Sequence, residues 1–144
     1  MVIPGQWWFC RDGELRPVVC GRVLRGDGAW RAVNFLVDTG ADRTVLTADV
    51  LDDLGSTADD PEEQLVGAGG LVASVRVRTT IRMERNDGGA VTVQGRFSAF
   101  HDPTALDMSL LGRDILDLFP VIVDRSRSFV CLLGQGHQYV IQTV

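Results

Sequence analysis

Lysine is missing from this chain: all 14 basic residues are arginine. The absence bears on one motif. Gly67-Ala68-Gly69-Gly70 is rich enough in glycine to suggest a phosphate cradle. It lacks the Gly-Lys-Ser/Thr ending of a P-loop, and strand-like alternation follows it where a helix would start. A dinucleotide fingerprint fails for the same reasons. Basic charge is short overall, and a net charge of −5 argues against nucleic acid as a main partner. No basic residue lies between Arg43 and Arg76, where Asp49, Asp52, Asp53, Asp59, Asp60, Glu62 and Glu63 collect. Such a run reads as a solvated face, or more sharply as a filter for cationic substrates. Histidine is limited to His101 and His137, and cysteine to Cys10, Cys20 and Cys131. Their spacing fits no zinc site, and no motif supports Ser/His/Asp or Cys/His chemistry. Three thiols leave one over under any pairing. Met1-Val2-Ile3-Pro4-Gly5 has neither the basic nor the apolar region of a signal peptide. Reduced thiols and a cytoplasmic location are the expectation. Apolar runs fall far short of the roughly 20 residues of a membrane helix, so no membrane partner is expected.

What is present is a chain of 144 residues, 45% apolar, enough for one domain with a core. Turn signals punctuate short apolar runs. Asp12-Gly13 separates Trp7–Cys10 from Leu15–Leu24, and Gly26-Asp27-Gly28 separates that run from Trp30–Val37. Asn86-Asp87-Gly88-Gly89 separates Val75–Met83 from Val91–Phe100. Each is hairpin chemistry, because such pairs tolerate the positive φ of tight turns. Val75 to Met83 alternates apolar and polar residues, as in a half-buried strand. Val91, Val93, Phe97 and Ala99 repeat the pattern, with Gly95 as a bulge candidate. Two helices are predicted. Thr47 caps Ala48–Leu54 and Gly55 stops it. Ile115–Phe119 forms one or two turns ended by Pro120. Strand-like runs follow at Val121–Val123, Phe129–Leu133 and Tyr139–Ile141. The expectation is an all-β fold with one or two short helices, in a single domain spanning 1–144.

Two segments carry chemistry. Phe35-Leu36-Val37 is a β-prone apolar run that delivers Asp38 into the turn Thr39-Gly40-Ala41. A strand-end aspartate is ordinarily a turn former. Here a strand buried on both faces would desolvate the carboxylate and raise its pKa. Thr39 offers a hydroxyl, and Gly40 permits close backbone approach. Leu110-Leu111 runs into Gly112-Arg113-Asp114 and a helix-like stretch. Read plainly, that is a strand-to-helix turn with a surface charge pair. Arg113 can also fork a carboxylate, and Asp42 is the natural partner. Gly67–Gly70 reads either as a plain hairpin tip or as a flap whose amides meet a bound ligand.

In this order the motifs resemble the retropepsin-like aspartic proteases. Val37 to Leu46 is similar to the active-site segment of that family, Leu110 to Leu116 to its second signature, and Gly67–Gly70 to its flap tip. Arg16-Pro17-Val18-Val19 is a short further match. The resemblance spans about residues 14–133, with strand extensions at both ends. The chain departs from retroviral enzymes in the helix Ala48–Leu54, the acidic segment after it, and the length beyond the second signature.

The resemblance implies a closed, barrel-like fold with one lobe per chain. It implies a homodimer whose active site lies on the two-fold axis. One Asp-Thr-Gly per chain supplies one carboxylate, so Asp38, Thr39 and Gly40 of two copies would form the catalytic centre without metal or cofactor. Extended peptide segments would be cleaved by carboxylate-activated water. Ala41, Val45, Gly67, Ala68, Gly69, Met108 and Leu110 would contact substrate, and Asp42 and Arg113 would form a structural ion pair. The competing reading is a dimeric peptide-binding or scaffold domain without proteolysis.

Overall fold

The computed structural model describes residues 1–55, 63–67, 70–134, 140 and 142, with backbone alone at 63–67 and 70–72. Three glycine turns set its framework. Gly13, Gly28 and Gly88 each sit at φ +85°, where a Cβ is strained. They close the hairpins between β2 (Gln6–Phe9) and β3 (Leu15–Leu24), between β3 and β4 (Trp30–Val37), and between β7 (Gly70–Glu84) and β8 (Ala90–Phe100). The hairpins and strand runs read from the sequence are thus the ones that form. β1 (Val2–Pro4), β5 (Val45–Leu46), β6 (Glu63–Gly67), β9 (Ser109–Leu111), β10 (Val121–Asp124) and β11 (Phe129–Leu133) complete a mostly-β fold. The expected strand at 139–141 lies outside the described residues.

The larger sheet has the order β2-β3-β4-β9-β5-β8-β7-β6, and β3 also pairs with β7. That pairing, Arg22 with Arg82 and Val23 with Ile81, joins strands otherwise five places apart, so the pairing runs round a closed ring. The inward positions of β3, β4, β7 and β8 fill the ring. Val19, Val23, Phe35, Val77, Ile81, Met83 and Ala99 have at most 1% of their surface exposed, the core that period-two alternation forecast. A smaller sheet, β1-β11-β10, lies beside it with Ile3 and Leu132 fully buried.

Several expectations need correction. β4 is not buried on both faces. Val33, Phe35 and Val37 are buried while Ala32 is exposed and Leu36 half-exposed, because the described residues cover the outer face only in part. Gly95 is not a bulge, since β7 and β8 pair one-to-one from Ser74–Phe100 to Glu84–Ala90. A Cβ there would stand 3.3 Å from the Phe97 ring, so the glycine makes room for an aromatic.

Helix α1 (Ala48–Leu54) has its predicted bounds, and Gly55 ends it at φ +63° by donating its N–H to the Asp52 carbonyl. Thr47 occupies the N-cap position, but its hydroxyl donates to Asp49 Oδ1 (2.5 Å) instead of accepting from the helix backbone. Helix α2 is Arg113–Leu116, two residues earlier than predicted. It starts directly at Gly112 and decays into three-residue bonds, Leu118 N–H to Ile115 and Phe119 N–H to Leu116, before Pro120.

Candidate active site

The site is built where three short strands meet. β9 lies parallel to β4, with Phe35 beside Ser109 and Val37 beside Leu111, and it also touches β5 at Val45–Leu110. Because β9 separates β4 from β5, the segment 38–44 that joins them must pass over the end of β9. Gly112 is the crossing point. A Cβ on it would stand 2.3 Å from the Arg43 carbonyl carbon and 2.7 Å from the Thr44 nitrogen. Only glycine lets the two backbones come that close.

The crossing is tied by hydrogen bonds. Asp38 N–H donates to the Leu111 carbonyl (3.1 Å), Arg113 N–H to Ala41 (2.8 Å) and Asp114 N–H to Asp42 (3.2 Å). Thr44 is fully buried and is the centre of the tie. Its N–H donates to both Asp114 carboxylate oxygens (2.9 and 3.0 Å), and its hydroxyl donates to Asp114 Oδ1 (2.7 Å). The same hydroxyl oxygen accepts the Gly112 N–H at 3.0 Å. On the far side, Ser98 N–H donates to the Thr44 carbonyl (3.2 Å) and Thr47 N–H to Ser109 Oγ (3.1 Å). Charge-assisted bonds of this kind are about twice as strong as neutral ones.

On this fixed loop, Asp38 follows the last residue of β4. Gly40 N–H donates to Asp38 Oδ1 at 3.0 Å, and Ala41 N–H to the Asp38 carbonyl at 3.2 Å. One carboxylate oxygen is therefore oriented by backbone. The residue is half-exposed in the single chain and not enclosed as the sequence suggested, and Thr39 and Gly40 are exposed. The outer face of β4 leading to Asp38 is likewise only partly covered by the described residues. Ala41, Met108 and Leu110 are half-buried, while Val45 is 5% exposed, so its side chain serves the core of this chain first.

Arg113 and Asp42 do form an ion pair. Their side chains are 52% and 79% exposed, so the pair is a surface contact. Sequence reasoning missed the Thr44–Asp114 clamp, which holds the crossing instead. Its one signal was a threonine directly before the apolar Val45-Leu46, where a buried hydroxyl demands a partner.

Strands β6 and β7 form a hairpin, pairing from Glu63–Ser74 to Gly67–Gly70, which a plain tip and a flap would share. Ala68 and Gly69, the expected tip, lie outside the described residues. Among the described residues no group of histidine, cysteine and carboxylate side chains could hold a metal ion, and no helix is long and apolar enough to cross a membrane.

Solved structures share this architecture. A retropepsin-like aspartic protease from Rickettsia conorii aligns over 92% of this chain and 88% of its own, with a TM-score of 0.55 and 20% identity. The EIAV protease complexed with the inhibitor HBY-793 aligns over 75% of this chain and 91% of its own, with a TM-score of 0.50 and 25% identity. No curated protein sequence gives a significant match. A family model described as aspartyl protease matches residues 22–115, from Arg22 of β3 into α2, and so takes in the Asp38 loop, Gly112 and the Thr44–Asp114 clamp. With that span covering well over half its length, the chain belongs to the aspartyl protease family.

Proposed function

We propose that this protein is an aspartic endopeptidase whose active site is completed by a second copy of the chain. The observation that carries the reading is Asp38 itself. Its carboxylate is oriented by the Gly40 amide, stands on a loop pinned by Gly112 and Asp114, and is half-exposed at the end of a strand whose outer face the described residues cover only in part. A catalytic loop fixed so firmly around a single half-exposed acid is a half-site. Two such carboxylates brought together cannot both ionise easily, so the pair shares a proton and titrates as a unit. The ionised member takes a proton from water as the water attacks the scissile carbonyl. The protonated member donates to the carbonyl oxygen, and proton transfer to the departing amine completes the hydrolysis. Water and two carboxylates suffice for this chemistry.

In this reading Thr39, exposed beside Asp38, bonds across the two-fold axis. Gly67, Ala68 and Gly69 close over an extended peptide, which adds as a strand against backbone amides. Ala41, Met108 and Leu110 border apolar side-chain pockets, and Val45 supports them from the core. Free Cys10, Cys20 and Cys131 suit a reducing compartment, so a cytoplasmic location belongs to the proposal.

The test is cleavage of a diverse peptide library read by mass spectrometry, with wild type and Asp38→Asn side by side. Wild type should cleave and Asp38→Asn should not, while sedimentation gives the same dimer for both. Equal turnover by the two proteins defeats the peptidase reading. Binding of peptides without cleavage by either leaves the scaffold reading.

A further inference from the structure

The closing seam of the ring sets like charges face to face. Arg22 on β3 is directly opposite Arg82 on β7, and Arg78 on β7 is directly opposite Arg96 on β8. Neighbouring strands are about 4.8 Å apart, and like charges placed so are destabilising. Positions 76, 78, 80 and 82 of β7 alternate with the buried Val75, Val77, Ile81 and Met83, so Arg76, Arg78 and Arg82 share the outer face. Five arginines thus gather on one face of a protein whose net charge is −5.

Glu84 meets Arg82 at 3.0 Å, and Arg76 donates to the Arg96 carbonyl at 3.0 Å. Arg22 is exposed and makes no ion pair among the described residues. Arg78 and Arg96 are engaged within the chain as well, and a guanidinium with five donors can take a further acceptor. Between the two arginine pairs lies the Thr80–Gln94 pair. A depression there is lined by Arg78, Thr79, Thr80, Gln94 and Gly95.

We propose that this face is an exosite that takes an extended acidic segment of a polypeptide substrate. The assignment rests on the peptidase reading. Charge complementarity selects the occupant, and spacing selects its form. Arg78 and Arg82 are four residues apart on one strand, about 13 Å, which is the distance between carboxylates at i and i+4 of another extended chain. Gln94, exposed in the middle of that span, supplies a neutral donor and acceptor. The protein's negative net charge disfavours nucleic acid, whose phosphates repel it everywhere else.

The experiment uses the full chain carrying Asp38→Asn, so that binding is read without cleavage. A fluorescein-labelled Glu-Val-Glu-Val-Glu peptide is titrated by anisotropy against its Gln-Val-Gln-Val-Gln counterpart. The acidic peptide should bind at least about tenfold more tightly, and Arg22→Gln with Arg78→Gln should remove the preference. Both positions are exposed, so the fold should survive; circular dichroism checks it, and Arg22→Gln alone serves if the pair does not fold. Equal binding of the two peptides overturns the proposal. So does tighter binding of a labelled oligothymidylate of matched length at the same salt. Cleavage of a neutral peptide by the protein with native Asp38 separates the two ideas. Acidic preference without cleavage keeps the binding face and defeats the peptidase reading; cleavage without acidic preference does the reverse.

Discussion

Thr44 and Asp114 are 70 residues apart in sequence, yet the threonine gives the aspartate both its backbone N–H and its hydroxyl. This pair, and not the neighbouring ion pair, holds the loop that carries Asp38.

Thr44→Val should therefore be costly. It leaves the Gly112 N–H without its acceptor and takes the hydroxyl donor from Asp114, at a position that is itself fully buried. The expected destabilisation is about 1–3 kcal/mol, read as a lower urea midpoint with an unchanged slope. A midpoint equal to wild type would remove the clamp from the account.

Arg113→Ala should be mild. Because the pair with Asp42 is exposed, it is worth at most about 1 kcal/mol. Urea melts of Arg113→Ala and Asp42→Asn should lie close to wild type. A loss larger than that of Thr44→Val would reverse the order assigned to the two contacts.

Gly112→Ala should be among the most damaging single-methyl additions in this chain. The new Cβ meets the backbone of residue 43, which cannot rotate away as a side chain can. Overpacking of this kind costs about 1–3 kcal/mol or more, and peptide cleavage should be lost even where the variant remains folded. Gly95→Ala, which meets only a ring edge at 3.3 Å, is the comparison and should be milder.

Acid should erase one contribution of helix α1. The Asp49 carboxyl is held below its ordinary range by the Thr47 hydroxyl and then by the Arg31 guanidinium. A depressed folded-state pKa means the stabilisation is full above the unfolded value of about 3.9 and is lost as pH falls through the folded value. Asp49→Asn should thus be less stable than wild type near pH 6, and the gap should narrow below pH 4. A gap independent of pH would place the effect in packing, not charge.

Much of the fold was legible because it is local. Asp12-Gly13, Asp27-Gly28 and Asp87-Gly88 specify turns by their own backbone preference, and β7 displays its buried face in alternate residues. Gly55 as a helix stop is equally local. The Asp38 and Gly112 motifs were legible as motifs, but their relation was not. Which of Asp42, Thr44, Arg113 and Asp114 carries the contact depends on a crossing of two segments, and no periodicity encodes a crossing. The burial of β4 was misread because an apolar run does not reveal whether its second face is covered by the chain itself.

The crossing also fixes when the site can form. Bringing Thr44 to Asp114 closes a loop of 70 residues, an entropic cost of about 4 kcal/mol plus a constant on the logarithmic scaling of loop closure. That cost is recovered only after β4, β9 and β5 are already side by side. The hairpins, with short separations, are expected to assemble first and the Asp38 loop to be locked last. Loss of the Thr44–Asp114 contact should accordingly quicken unfolding and leave the folding rate nearly unchanged. Stopped-flow chevrons of Thr44→Val should move on the unfolding limb alone, the mark of a loop that is fastened after the rate-limiting step.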